Sequence, residues 1–265
     1  MAETSSDLSV HDLNASLRQK KDAGRKLLVC YITGGLNADW LDMLYILADA
    51  GADAVEIGIP FSDPVMDGPV IQESSMQALA NGATPLSILM QVEKEEPGIP
   101  LAVMTYYNLV YRMGEERFAE RLIQSGITGA ILPDLPIDEA AGWIETGAAH
   151  SLSAVLLAAP TTREERLNEI AAKSKGFVYA VGLLGVTGER EELSESASVL
   201  AASIKSRTET PVLVGVGISN PEQAKKVCQV ADGVVVGSAL VRRILENRSK
   251  QEIGAFVKSI REALD

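Results

Sequence analysis

Glu56 and Asp67 are the two side chains of this sequence whose surroundings point to acid–base chemistry. Glu56 stands in Ala54-Val55-Glu56-Ile57-Gly58-Ile59, a run that reads as a β-strand. Successive strand side chains go to opposite faces. Val55, Ile57 and Ile59 therefore share a face suited to packing under helices, and Ala54, Glu56 and Gly58 share the other. A carboxylate on the enclosed side of a sheet loses its water, so its pKa rises toward the range useful for proton transfer. No basic residue stands at a predicted strand end to neutralise it, which weighs against a structural ion pair. Asp67 lies in the loop 60–69, whose three prolines restrict it. By residue type alone, Asp67 is either a turn former or a side chain fixed over the site.

Three glycine-bearing turns come late in the chain: Gly185-Val186-Thr187-Gly188, Gly215-Val216-Gly217-Ile218-Ser219 and Val236-Gly237-Ser238-Ala239. Glycine lets backbone amides approach an anion, and Ser238 adds a hydroxyl, so these turns suit a phosphate. Tyr31, Tyr106 and Tyr179 fall at strand ends. Such aromatics usually fill core space, but beside a phosphate they could frame a flat ring.

The absences narrow the chemistry further. No lysine lies near a strand end for a Schiff base. The two histidines, His11 and His150, fall on helices and read as surface groups, leaving no ligands for a catalytic zinc and no base for a nucleophilic triad. Cys30 and Cys228 have no metal-ligand spacing and read as core thiols. Carboxylates, tyrosines and backbone amides remain, a set suited to proton transfer without metal, cofactor or covalent intermediate.

Elements that position these groups follow from pattern and length. Short β-rich runs are predicted over 26–33, 54–59, 101–105, 130–132, 153–158, 177–181, 211–214 and 233–236. Helical runs between them include 38–50, 115–125, 138–150, 163–173 and 222–229, and an extra amphipathic helix over 10–23 precedes the first strand. Asn37 and Asn220-Pro221 suit helix starts, and Gly51 and Gly126 suit stops. Strands alternating with helices predict parallel βαβ units, and eight of them in 265 residues point to one α/β domain over 1–265, a (β/α)8 TIM barrel. An open doubly wound sheet would carry a Gly-rich fingerprint after its first strand, which Thr33-Gly34-Gly35 matches poorly. In a barrel of this kind the site lies at the C-terminal strand ends, where Glu56, Asp67, the tyrosines and the glycine turns all fall.

Composition limits the partners. The chain carries 36 acidic against 24 basic residues, net −12, which argues against nucleic acid and anionic membrane. No apolar run approaches a membrane span, and the first twelve residues lack the order of a secretory signal. A soluble, cytoplasmic protein is the expectation.

Taken together, these segments are similar to the tryptophan synthase α subunits. The resemblance is carried by 55–64 with Asp67-Gly68-Pro69, then by Tyr106-Tyr107-Asn108-Leu109, Pro133-Asp134-Leu135-Pro136, Gly185-Val186-Thr187-Gly188, Gly217-Ile218-Ser219 and Gly237-Ser238. They occur in the family's order from about Lys26 to the C-terminus. The resemblance implies retro-aldol cleavage of indole-3-glycerol phosphate to indole and glyceraldehyde 3-phosphate. It makes Glu56 and Asp67 the catalytic pair, with Tyr179 beside them. It places phosphate at Gly188, Gly217, Gly237 and Ser238, and indole near Tyr31, Tyr106 and Thr187. Pro64, Asn108 and Pro136 would face a tryptophan synthase β subunit in an αββα complex. The chain departs from the family's usual residues at Leu36-Asn37, at Gly182-Leu183-Leu184 and at Cys30. A stand-alone lyase, another phosphate-binding barrel enzyme and a non-catalytic regulator of the β subunit are the rival readings.

Overall fold

A computed structural model describes residues 11–182, 190–215 and 217–265, with residues 190–195 as backbone only. Eight parallel strands close into a barrel in chain order. They are β1 (Leu27–Thr33), β2 (Ala54–Gly58), β3 (Leu101–Met104), β4 (Ile127–Ile131), β5 (Ser153–Ala158), β6 (Val178–Ala180), β7 (Val212–Val214) and β8 (Gly233–Val236). Strand β8 pairs back on β1, Leu28 opposite Val234. The strands alternate as their sequences require. Val55 and Ile57 join the outer core between sheet and helices, whereas Ala54, Ala102, Val155 and Val235 fill the barrel interior.

The first helix, α1 (Leu13–Asp22), closes the bottom of the barrel. Asp12 caps it by accepting the Ala15 N–H at 2.8 Å, so it starts later than residue 10. Leu13 and Leu17, both fully buried, enter the interior cluster. Leu13 occupies the space a side chain at Gly129 would need, since a Cβ there would lie 2.3 Å from Leu13 Cδ2. That glycine explains why β4 reads short in the sequence. A strand interior seldom carries glycine, and here the missing side chain is replaced by a leucine from α1. Thr128 Oγ1 accepts the Leu13 N–H at 3.1 Å and ties the two elements together.

Two buried aspartates pin the N-terminal strand ends. Asp53, just before β2, accepts the Leu28 N–H at 2.9 Å and the Arg25 Nε–H at 2.8 Å, with Lys20 and Arg261 also on its carboxylate. Asp232, just before β8, accepts the Val212 N–H at 2.9 Å and pairs with Lys205 at 2.6 Å.

The remaining helices are α2 (Asp42–Asp49), α3 (Pro69–Ala80), α4 (Pro85–Val92), α5 (Tyr107–Met113), α6 (Glu115–Gln124), α7 (Ala141–Ala149), α8 (Glu164–Lys173), α9 (Arg190–Lys205), α10 (Pro221–Val227), α11 (Ser238–Leu245) and α12 (Lys250–Leu264). Two expected helices begin differently. Asn37 Oδ1 accepts the Asp39 N–H at 3.2 Å in a local turn, and α2 starts only at Asp42. The run 138–150 is split into a 3-10 turn, Ile137–Glu139, and α7. Asn220 does cap α10, accepting the Gln223 N–H at 2.9 Å. Gly51 and Gly126, with φ of 95° and 72°, end their helices. Cys30 and Cys228 are buried free thiols. No described helix is long and apolar enough to cross a membrane.

Candidate active site

Glu56 is the middle residue of β2, opposite Tyr31 of β1 and Ala102 of β3. It is fully buried, and among the described residues neither carboxyl oxygen has a hydrogen-bond partner. Burial, with the nearby Asp67 charge adding to it, pushes this carboxyl up to about 8. An unpaired buried carboxyl is costly unless it stays protonated, so Glu56 holds its proton at neutral pH.

Asp67 reaches the same mouth from the loop between β2 and α3. Its backbone is held on both sides: its N–H donates to Pro64 O at 3.0 Å, and its carbonyl accepts from Gln72 Nε2 at 2.9 Å. The phenolic oxygen of Tyr106 accepts the neighbouring Met66 N–H at 2.9 Å, while the Tyr106 ring stacks on Phe61 at 5.0 Å between centroids. Burial raises the Asp67 carboxyl to about 6, with hydrogen bonding to Tyr106 pulling the other way. At pH 7 the two carboxyls therefore differ in state. Glu56 carries a proton and Asp67 a charge, which sets an acid near an anion at one barrel mouth.

Two tyrosines complete the walls. The Tyr31 hydroxyl lies over Gly58, where a Cβ would stand 1.9 Å from it, and the Tyr179 ring lies over Gly215, 2.3 Å from such a Cβ. Burial is the main cause raising both phenols, with Glu56 and Asp67 adding to it, so both stay neutral. Gly215 thus has a packing role, because its missing side chain seats Tyr179. Large rings beside glycines on the inward face were the available sequence signal. Phe61 and the link from Tyr107 to Asp134 were not foreseen.

The glycine turns are described in part. Gly217 has φ of 73°, with no atom of the described residues within 4 Å of where a Cβ would stand. Gly237 precedes α11, whose start no side chain caps, and Ser238 is exposed at its first position. Thr187 and Gly188, with Leu183 and Leu184, lie outside the described residues. Asn108 and Pro136 are exposed and Pro64 half-buried, with Val65 80% and Tyr111 72% exposed on the same loops and helix. Of the positions that depart from the family's usual residues, Leu36 and Cys30 are buried in the outer core.

Comparison with known proteins matches residues 17–263 to the family model described as tryptophan synthase alpha chain. The tryptophan synthase alpha chain of Streptomyces coelicolor is 44% identical over 247 residues, 90% of this chain and 89% of that one. That of Geobacter sulfurreducens is 42% identical over 251 residues, 92% and 95% of the two chains. Among solved structures, tryptophan synthase subunit alpha from Legionella pneumophila superposes with a TM-score of 0.86 at 34% identity, covering 96% of this chain and 98% of that one. A Mycobacterium tuberculosis tryptophan synthase chain gives 0.87 at 34%, with 95% and 97% covered.

Proposed function

The chain belongs to the tryptophan synthase alpha chain family, and we propose that Glu56 and Asp67 carry its carbon–carbon lyase reaction, with indole-3-glycerol phosphate as substrate. The observation that bears most weight is the protonation contrast between a fully buried, unpartnered Glu56 at about 8 and Asp67 at about 6.

The chemistry runs without metal or covalent intermediate. Protonated Glu56 delivers its proton to carbon 3 of the indole ring, and the ring nitrogen takes up positive charge. Ionised Asp67 accepts the N–H hydrogen bond of that nitrogen and stabilises the charge. Glu56, now a carboxylate, removes the proton of the side-chain hydroxyl. As the new carbonyl forms, the bond to carbon 3 breaks and its electron pair returns to the ring. Indole and glyceraldehyde 3-phosphate result, and Glu56 is protonated again. Tyr31, Tyr106 and Thr187 surround the ring, with Tyr179 beside the catalytic pair, while Gly188, Gly217, Gly237 and Ser238 hold the phosphate end.

We further propose that Pro64, Asn108 and Pro136, with the exposed Val65 and Tyr111, form the face that a β subunit covers in an αββα complex. Exposed apolar side chains gathered on active-site loops support this. Indole release from indole-3-glycerol phosphate, measured with and without a β subunit and beside size-exclusion chromatography of the mixture, is the test. Co-elution with a raised rate is expected. Release without co-elution would make this a stand-alone lyase, and no release in either case would refute the catalytic reading.

A further inference from the structure

The loop after β4 is tied to the start of α5, and through it to the loop that carries Asp67. Asp134 Oδ1 accepts the Tyr107 N–H at 2.8 Å, a bond that spans 27 residues and joins the end of β4 to the start of α5. Tyr107 is the first residue of that helix, and Tyr106 before it has extended backbone, with φ of −78° and ψ of 140°. Holding the Tyr107 amide therefore fixes the direction in which the Tyr106 side chain leaves. That side chain reaches the other loop, stacking on Phe61 and accepting the Met66 N–H next to Asp67.

We propose that Asp134 is a positioning residue for Asp67, acting through Tyr106. The proposal rests on reading Asp67 as the carboxylate that meets the indole nitrogen. Tyr106 oxygen uses a lone pair on the Met66 N–H, which leaves its own hydroxyl hydrogen free for the Asp67 carboxyl. A tilt of the ring disturbs both contacts together. Among the described residues, the other titratable groups facing this cluster are Glu56 on β2, Tyr31 on β1 and Tyr179 on β6. None of these hydroxyls and carboxyls is tied to the β4 loop by a hydrogen bond as Tyr106 is through Tyr107. An aspartate that did no more than fasten the start of α5 would affect stability and leave Asp67 alone.

Asp134→Ala and Asp134→Asn in the full chain separate these roles, with indole release and its pH profile as readouts. Asp134→Ala is expected to lower kcat about ten- to a hundredfold, the scale of a misplacement near 1 Å, with KM within about twofold because the phosphate contacts remain. Its acid limb should move up in pH, since Asp67 loses a donor that favours the charged form. Asp134→Asn keeps an oxygen that accepts the same bond, and should recover kcat to within about threefold of wild type. Tyr106→Phe should move the acid limb in the same direction, which keeps the test open if Asp134→Ala does not fold. An unmoved acid limb in Tyr106→Phe, or an unchanged kcat in Asp134→Ala with only its thermal midpoint lowered, would overturn the proposal. An Asp134→Asn enzyme as slow as Asp134→Ala would do the same. Wild type is run beside them: no indole from wild type refutes the lyase reading itself. The Asp67 carboxyl can then be titrated by carbon-13 NMR, and an unchanged midpoint in Asp134→Ala or Tyr106→Phe still overturns the positioning role.

Discussion

Replacing Glu56 by Gln separates catalysis from stability in one protein. The side chain is fully buried and has no hydrogen-bond partner among the described residues, and its carboxyl sits at about 8 against 4.5 for an ordinary glutamate. A raised carboxyl pKa means that the folded state binds more protons than the unfolded state between those values. Stability therefore falls as pH rises through that window. At about 1.4 kcal/mol per pH unit, the raised pKa of Glu56 costs the fold about 3 kcal/mol at pH 7 and about 5 kcal/mol once pH exceeds 8. Gln cannot ionise, so this slope disappears, while its buried amide adds a cost independent of pH. Relative to wild type, Glu56→Gln should gain about 4 kcal/mol between pH 5 and pH 8.5, read from urea denaturation at each pH. Indole release should fall by about 10²–10⁴-fold for loss of the proton carrier, with substrate affinity little changed. Parallel stability curves for the two proteins, or indole release near the wild-type rate, would refute the reasoning.

The remaining expectations follow from neighbouring groups. The wild-type pH profile of kcat/KM should fall below about 6, where Asp67 loses its charge, and above about 8, where Glu56 loses its proton. Asp67→Asn should slow indole release by about 10²-fold and remove the acid limb. It should also move the alkaline limb down, because the Asp67 charge no longer raises Glu56. Gly237→Asp should fold, since among the described residues a Cβ there meets the Tyr31 side chain at ordinary contact, its Cβ nearest at 3.6 Å. Calorimetry should nevertheless show glycerol 3-phosphate binding at least about tenfold weaker, from carboxylate against phosphate. Asp53→Ala should destabilise by about 3–5 kcal/mol in urea, because Arg25, Lys20 and Arg261 lose their shared buried counter-charge. The kcat of its folded fraction should be kept.

The barrel was legible because its repeat is carried by alternation that each strand must obey. Glu56 was legible for the same reason: the parity of Val55, Ile57 and Ile59 sends it inward, and no basic residue answers it. Where sequence reading stopped short, a distant residue did the deciding. Gly129 weakens the pattern of β4, and only Leu13 of α1 explains why a glycine is tolerated there. Asp67 was undecided between turn and site, and its setting comes from Tyr106 across the mouth as well as from its own loop. Asp134 stood in a family-like segment, but its tie to Tyr107 was hidden because its partner amide lies 27 residues away.

The leucine plug at the barrel bottom also orders events in time. Leu13 contacts the positions of Gly129 and Gly176, so α1 has no finished seat until β4 to β6 have emerged from synthesis. Ring closure waits longer still, for β8 to reach β1. At about 5–20 residues per second, the first helix spends many seconds made but unhoused. Contacts that join such distant parts of the chain slow folding, because the loops between them must first be closed. The docking of α1 should accordingly be a late step in refolding. A chain lacking α1 should collapse nearly as fast as the whole protein and fail at the end, with its lower rim open to water.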